Sequence, residues 1–321
     1  MSLPLSGLRV LDFSTLLPGP YATAMLAACG AEVTKIERLE GDDAAHVPPF
    51  AGGRPVLYDA LNGAKHVIRL DLRAPEGLAE ALRLADQADI LISQFRPGVM
   101  ERLGLGYEAI RARNSRLIYC AISGYGQTGP NAARAGHDLN YLADAGVFDA
   151  VAGGPAVPPG LFADVGGGSL PAILNILLAL RVREVSGEGC FLDISISDNA
   201  RVFIPHVTGA LFSTGRFDPG ASPFGGSSPR YRIYPLEGGA VVVGAFEEKF
   251  WRRFCVVIGF GETESPDAAA VQTRLMAMPI AHWQGVFAGE DCCVSVMLEG
   301  APTAIPQAPL AMPILAHFRG L

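Results

Sequence analysis

Short apolar runs alternate with amphipathic stretches through the first two thirds of the chain, and their order predicts repeated strand–helix–strand units. Residues 8–13 (LRVLDF) read as a short apolar strand, and Pro18-Gly19-Pro20 as a turn leading into a helix over 21–28 that stops at Gly30. A second strand follows at 32–36 (EVTKI). Residues 75–87 have the spacing of an amphipathic helix with a proline near its start, and 88–93 (ADILIS) form the next strand. A helix over 107–113 and a strand over 117–123 (LIYCAIS) repeat the rhythm, which predicts a parallel sheet with helices on its faces. An apolar helix over 169–185 comes after three glycines, and a strand returns at 190–195. Residues 198–214 read as helical with an interruption at Pro205, and the Gly/Ser/Pro stretch over 218–229 marks a boundary. Beyond it, strands at 231–235 and 240–245 flank Gly238-Gly239 as a hairpin, and a helix over 247–258 gives way to less regular sequence.

Composition narrows the class. A chain of 321 residues suits one large domain or two modest ones, and it needs no disulfide or metal staples. With 50% hydrophobic and 18% charged residues, and a mean hydropathy of +0.28, it is not a disordered chain. The 25 basic residues are outnumbered by 32 acidic ones, which excludes a broad basic face for nucleic acid and leaves room only for a local anion site. The apolar run over 170–180 is about half the ~20 residues of a bilayer span and meets Arg181, Arg183 and Glu184, so no membrane segment is expected. The first residues have neither a charged nor an apolar leader region. The six cysteines contain no CxxC spacing, which points to reduced thiols, a cytoplasmic protein and no metal site.

Several residues could carry chemistry. Gly124-Tyr-Gly126-Gln-Thr-Gly129 has the glycine spacing of a dinucleotide fingerprint, but Pro130-Asn131 follows where a helix should open. It reads as a glycine-rich turn. His137 and Asp138 lie in Gly136-His137-Asp138, and Asp164 precedes Gly166-Gly167-Gly168-Ser169 and the apolar helix. The glycines could let main-chain amides approach a ligand and stabilise an oxyanion beside Asp164; equally, Asp164 or a neighbour could simply cap that helix. Arg38, Arg96 and Arg102 fall at or just after the carboxyl ends of strands, and Lys65 stands ahead of another strand. Each alone reads as a surface charge. Together they would suit a phosphate-rich ligand.

These stretches resemble the family III CoA-transferases, also called the CaiB/BaiF family. The matching segments are LRVLDFSTLLPGPYATAMLAACGAEVTKIE (8–37), LISQFRPGVMERLGLGYE (91–108), GYGQTGP (124–130), GHDLNY (136–141) and FADVGGGS (162–169). The resemblance implies an α/β fold: a large Rossmann-like CoA-binding domain over 1–200, to which 302–321 would return, and a linker helix with a smaller α+β domain over 201–301. It also implies an interlocked homodimer and an acyl-CoA substrate, with no cofactor beyond the coenzyme A that the substrate carries. Two activities divide the family. Transferases use the aspartate before the glycines as a nucleophile, whereas alpha-methylacyl-CoA racemases use it as an acid/base with the histidine of Gly-His-Asp. The histidine motif, and only Gly225-Gly226 where transferases carry a longer glycine loop, favour the racemase pattern. By resemblance, His137 and Asp164 exchange the proton, Glu247 and Asp138 orient His137, and the Asp164 amide with the glycine turn holds the enolate oxygen. Arg38, Leu61, Lys65, Phe95, Arg96 and Arg102 would then bind coenzyme A. Relative to the family pattern the stretch after Ile258 reads as abridged, which keeps a non-catalytic acyl-CoA-binding protein in view as a third reading.

Overall fold

The computed structural model describes residues 3–151, 154–218, 220 and 222–300. The chain divides into two compact units, one of residues 3–145 and 157–203, the other of residues 146–156 and 204–300 as far as they are described. The short stretch 146–156 thus goes with the second unit although it lies inside the expected large domain. The expected return of 302–321 falls outside the described residues.

The first unit begins with β1 (Arg9–Phe13), α1 (Pro18–Ala28) and β2 (Glu32–Glu37). A two-residue hairpin, β3 (Phe50–Ala51) and β4 (Arg54–Pro55), leads to α2 (Val56–Asn62) and β5 (His66–Arg69). Then come α3 (Pro75–Ala85), β6 (Ile90–Ser93), α4 (Val99–Arg102), α5 (Tyr107–Arg113) and β7 (Ile118–Ser123). The unit closes with α6 (Asp138–Asp144), α7 (Leu170–Ser186), β8 (Phe191–Ser195) and α8 (Ile196–Ala200). The first helix starts at Pro18 rather than after the prolines, because a ring-fixed φ suits the first helical turn.

Six strands form one parallel sheet in the order β5-β2-β1-β6-β7-β8. Strand side chains alternate between faces, so Leu11 and Phe13 of β1 join Leu91, Tyr119, Ala121 and α3 residues in one core layer. Asp12 and Lys35 project to the other face, where both are fully buried. After β7 the Gly124–Gly129 segment turns without opening a helix, and the Gln127 amide donates to the Asp193 carboxylate at 2.9 Å.

Residues 163–186 form one continuous helical stretch in which an 18-residue window has a mean hydropathy of 1.6, long and apolar enough by length and composition to cross a bilayer, contrary to expectation. In this unit Ala172, Ile176 and Ala179 of α7 are buried, and α7 packs on β7 and β8. Arg183 fastens its far end, donating to the carbonyl oxygens of Asp89 and Arg116 and pairing with the Asp89 carboxylate at 3.1 Å.

The second unit contains α9 (Pro205–Thr214), β9 (Tyr231–Leu236), β10 (Gly239–Gly244) and α10 (Glu248–Val257). The region expected to be irregular instead forms α11 (Ala268–Met276), α12 (Ile280–Phe287) and β11 (Val294–Leu298). β11 completes an antiparallel sheet in the order β11-β10-β9, and Tyr234, Val241, Trp251, Phe254 and Trp283 fill its core. Their periodicity was hidden by short elements whose apolar residues gain a face only on packing.

Candidate active site

The strand order of the large sheet reverses between β1 and β6, so the loops leaving those strands diverge and open a crevice at their carboxyl ends. Packing at this crevice is close. A Cβ on Gly19 would lie 2.2 Å from Ser14 Cβ, and the Gly19 amide donates to Gln94 Oε1 at 2.9 Å, tying the start of α1 to the loop after β6. In the loop after β1, Leu16 has a φ of +61°, a left-handed conformation that costs a side-chain-bearing residue about 1–2 kcal/mol. The Leu16 amide donates to Asp42 Oδ1 at 3.0 Å. Asp42 Oδ2 pairs with Lys35 Nζ at 2.9 Å, and the same ammonium donates to the Ser14 carbonyl at 2.7 Å. A buried ion pair therefore holds both ends of the strained turn.

Three cavities line this edge of the first unit. The largest, about 830 Å³, has Arg38, Arg73, Arg102 and Phe95 on its walls together with Glu37, Glu40, Asp43 and Asp71. The second, about 410 Å³, is polar and lined by Thr15, Phe95, Arg96, Arg134, Asn140 and Tyr141. The third, about 340 Å³, is mainly apolar, with Leu17, Val47, Leu57, Leu139, Val157 and Leu161. Thr15 and Phe95 are common to the first and second. Leu16, His137 and Asp164 are common to the second and third.

Asp164 sits in the first turn of a π-helix, Ala163–Ser169, that runs into α7. Its amide donates to Asp138 Oδ1 at 2.9 Å. Burial, and secondarily the charge of Asp138, push the Asp164 carboxyl up to about 7. Asp138 is itself only 5% exposed, and burial raises its pKa against the stabilising amides of Asp164 and Ala163. A carboxyl poised near neutrality can both give and take a proton, which suits general acid–base work. His137 precedes α6, exposed, with its amide donating to Asn140 Oδ1 at 3.0 Å. The approach to it is fastened by the Tyr141 hydroxyl, which donates to the Gly136 carbonyl, and by Arg134, which pairs with Asp144 at 2.9 Å. Burial and the nearby Asp164 charge push the Tyr141 hydroxyl up to about 12, so it remains a donor at neutral pH.

The model of CoA-transferase family III matches residues 5–296 of the chain. The chain belongs to CoA-transferase family III. It is 32% identical over 321 aligned positions to the alpha-methylacyl-CoA racemase of Homo sapiens, covering 92% of this chain and 78% of that protein. It is 35% identical over 293 positions to the succinate–glutarate CoA-transferase of Agrobacterium fabrum, covering 85% and 71%. The crystal structure of a CaiB/BaiF family protein from Brucella suis superposes with a TM-score of 0.78 at 27% identity, covering 92% of this chain and 84% of that one. The mixed α/β architecture is therefore the fold of this family, and both racemases and transferases are among its relatives.

Within that fold the expected site residues separate into groups. His137 and Asp164 meet at the walls of the same two cavities, and Phe95, Arg96, Arg102 and Arg38 line the crevice. Arg38 is already engaged, donating to the Gly41 carbonyl at 3.0 Å and pairing with Asp43. Lys65 and Leu61 do not line these cavities. The Lys65 side chain has no exposed surface, and its ammonium pairs with Asp12 at 3.2 Å and donates to Pro20 O and Asn62 Oδ1 at 2.9 Å each. Leu61 is 1% exposed and packs with Tyr21, Ala24 and Met25. Both are structural residues of the face opposite α3, a correction to their expected contact with coenzyme A.

Three expected roles also change. The Asp138 carboxylate accepts from the main chain of the π-helix, so it orients the Asp164 segment rather than His137. The Asp164 amide is consumed by that bond and is not a free oxyanion donor. The glycines serve packing: a Cβ on Gly167 would lie 2.4 Å from the Ile196 carbonyl oxygen, so only glycine lets α8 come this close. Nor does Asp164 cap the helix, since Phe162 stands before the π-turn and makes no side-chain cap. Glu247 is exposed at the start of α10 in the second unit, where its carbonyl accepts from Phe250 and Trp251. Sequence reasoning passed over Arg73, Arg134, Tyr141 and Leu16. Arg134 and Tyr141 flank the Gly-His-Asp motif closely enough to have been candidates, whereas nothing in the sequence marks Leu16.

Proposed function

We propose that this chain is a racemase of 2-methylacyl-CoA thioesters, with His137 and Asp164 as its acid/base pair. The observation that carries this reading is their shared position on the walls of a polar and an apolar cavity, with Asp164 raised to about 7. The carbon next to a thioester is weakly acidic, so inversion needs a base on one face and an acid on the other. In one direction ionised Asp164 takes the proton while protonated His137 returns one to the opposite face. In the other direction the roles exchange. The nucleotide end of the substrate would run toward Phe95, Arg96 and Arg102, and the acyl chain into the apolar cavity. A single epimer in D₂O should lose optical purity and gain deuterium at C2; retention of both protium and configuration across a panel of chain lengths sinks the reading.

A second reading, a CoA-transferase, is favoured by the similarity to the succinate–glutarate enzyme and by Arg96 and Arg134 on the polar cavity that Asp164 lines. Ionised Asp164 would then attack the thioester carbonyl, the C–S bond breaking to release coenzyme A as its thiolate and leave an acyl–Asp164 anhydride, from which the acyl group passes on as the acceptor carboxylate takes over the coenzyme A. It predicts an Asp164 adduct trapped by hydroxylamine and turnover that requires a carboxylate acceptor. Acyl-CoA binding with neither exchange nor transfer would instead mark a binding protein.

We further propose an interlocked homodimer in which Glu247 from one subunit supports His137 of the other. An exposed row on α7 supports this, since Leu174, Leu178 and Val182 are 56–63% exposed at helical spacing and would be covered by a second copy. Light scattering across a dilution series checks it, and a monomer with undiminished turnover refutes it.

A further inference from the structure

Leu16 shares with His137 and Asp164 the boundary between the polar and apolar cavities, and it is the member of that trio with no chemistry to offer. Its backbone adopts a left-handed φ of +61°, which a leucine does not take without support. The support is built in. Asp42 accepts the Leu16 amide, Lys35 neutralises Asp42, and Lys35 also holds the Ser14 carbonyl two residues earlier. Asp42 and Lys35 side chains have no exposed surface, and Asp42 Oδ1 additionally caps the short turn at Asp43–His46. A buried ion pair is a costly way to stabilise a loop, and here it holds the backbone on both sides of Leu16 in one position. The position kept is that of an apolar wedge beside the two groups between which a reacting carbon would pass.

We propose that Leu16 is a specificity-determining residue that packs against the substituent on the carbon next to the thioester, admitting a methyl branch and rejecting larger ones. It rests on the acyl-CoA reading of the site but not on which reaction follows. The acyl chain enters the apolar cavity past Leu16, Leu17 and Leu161, while the thioester stays on the polar side. A wedge of this kind limits the branch because added methylenes must displace a side chain whose backbone is held from behind.

The test is calorimetric binding of inert thioether analogues of acyl-CoA, identical except for a methyl or an ethyl branch. Wild-type protein should prefer the methyl analogue by about tenfold or more, the scale of one methylene in a tight pocket. Leu16→Gly removes the wedge and suits the left-handed backbone, so the preference should fall to within about threefold while affinity for coenzyme A itself is unchanged. Leu16→Phe should act oppositely, losing the methyl-branched analogue and keeping the unbranched one. An unchanged methyl-to-ethyl ratio in folded Leu16→Gly, or Leu16→Phe weakening branched and unbranched analogues equally, overturns the proposal. Failure of the racemase reading is separately visible: wild type would show no C2 deuterium exchange while the binding ratios stood.

Discussion

Asp12 and Asp164 are two carboxylates of the same unit, both withdrawn from water, and their surroundings drive them in opposite directions. Burial pushes the Asp12 pKa up, but Lys65 and Lys35, with hydrogen bonds from Ser14 and Thr23, outweigh it and hold the group below its ordinary value. Among the described residues no cation offsets burial at Asp164, and the charge that acts on it is another carboxylate, Asp138. One environment stabilises a permanent charge and serves the fold. The other leaves the proton undecided near pH 7, as the proposed acid/base role requires. Of the three lysines in the chain, two belong to the first environment, where a compact ammonium fits a fully enclosed space.

The largest expected contrast is between the two Asp→Asn variants. Asp164→Asn keeps shape and should lower turnover by on the order of 10²–10⁴ with no loss of stability. Asp12→Asn should destabilise by about 3–5 kcal/mol, because it strands buried Lys65 without its counter-charge, and denaturant unfolding would measure it. Equal stability losses in both would erase the distinction.

The pH dependence sharpens the same contrast. Asp164 keeps its proton in the fold up to about 7, so the stability it confers falls as pH rises from the ordinary carboxyl value of 3.8 through that point. Asp12 has the reverse sign: its contribution is present above 3.8 and is lost as pH drops through its lowered folded value. Urea titrations between pH 3 and 8 should therefore show Asp164→Asn gaining on wild type as pH rises toward 7. A parallel pair of curves would contradict this.

Asp138→Asn removes the like charge while leaving an acceptor for the Asp164 amide. The acid limb of the rate profile should move to lower pH but stop above the ordinary carboxylate range, since burial is the larger cause. The smallest effects separate crevice from core. Leu61→Ala should cost about 2–5 kcal/mol with coenzyme A affinity intact. Arg102→Ala should weaken coenzyme A several-fold with a stability change within about 0.5 kcal/mol.

Much of the parallel sheet was legible because each strand is a run of apolar residues bounded by turn residues, as at β1, β6 and β7. α11 and α12 were not, since their apolar residues show no strong period and acquire a face only against Trp251 and Tyr234. His137 and Asp164 were legible as motif residues. Lys65 and Leu61 were misread because a lysine ahead of a strand and a leucine in a helix carry no mark of which way they point.

What the sequence determined by itself was the α/β order, the family and the two residues proposed to move the proton, all of which follow from local pattern and motif. The tertiary structure alone decided which charges are spent. It set Asp138 against the Asp164 amide, placed Lys35 behind Leu16, and brought Leu16 between two cavities. Those outcomes depend on burial and on partners distant in the chain, and neither is a property of a residue or its neighbours in sequence.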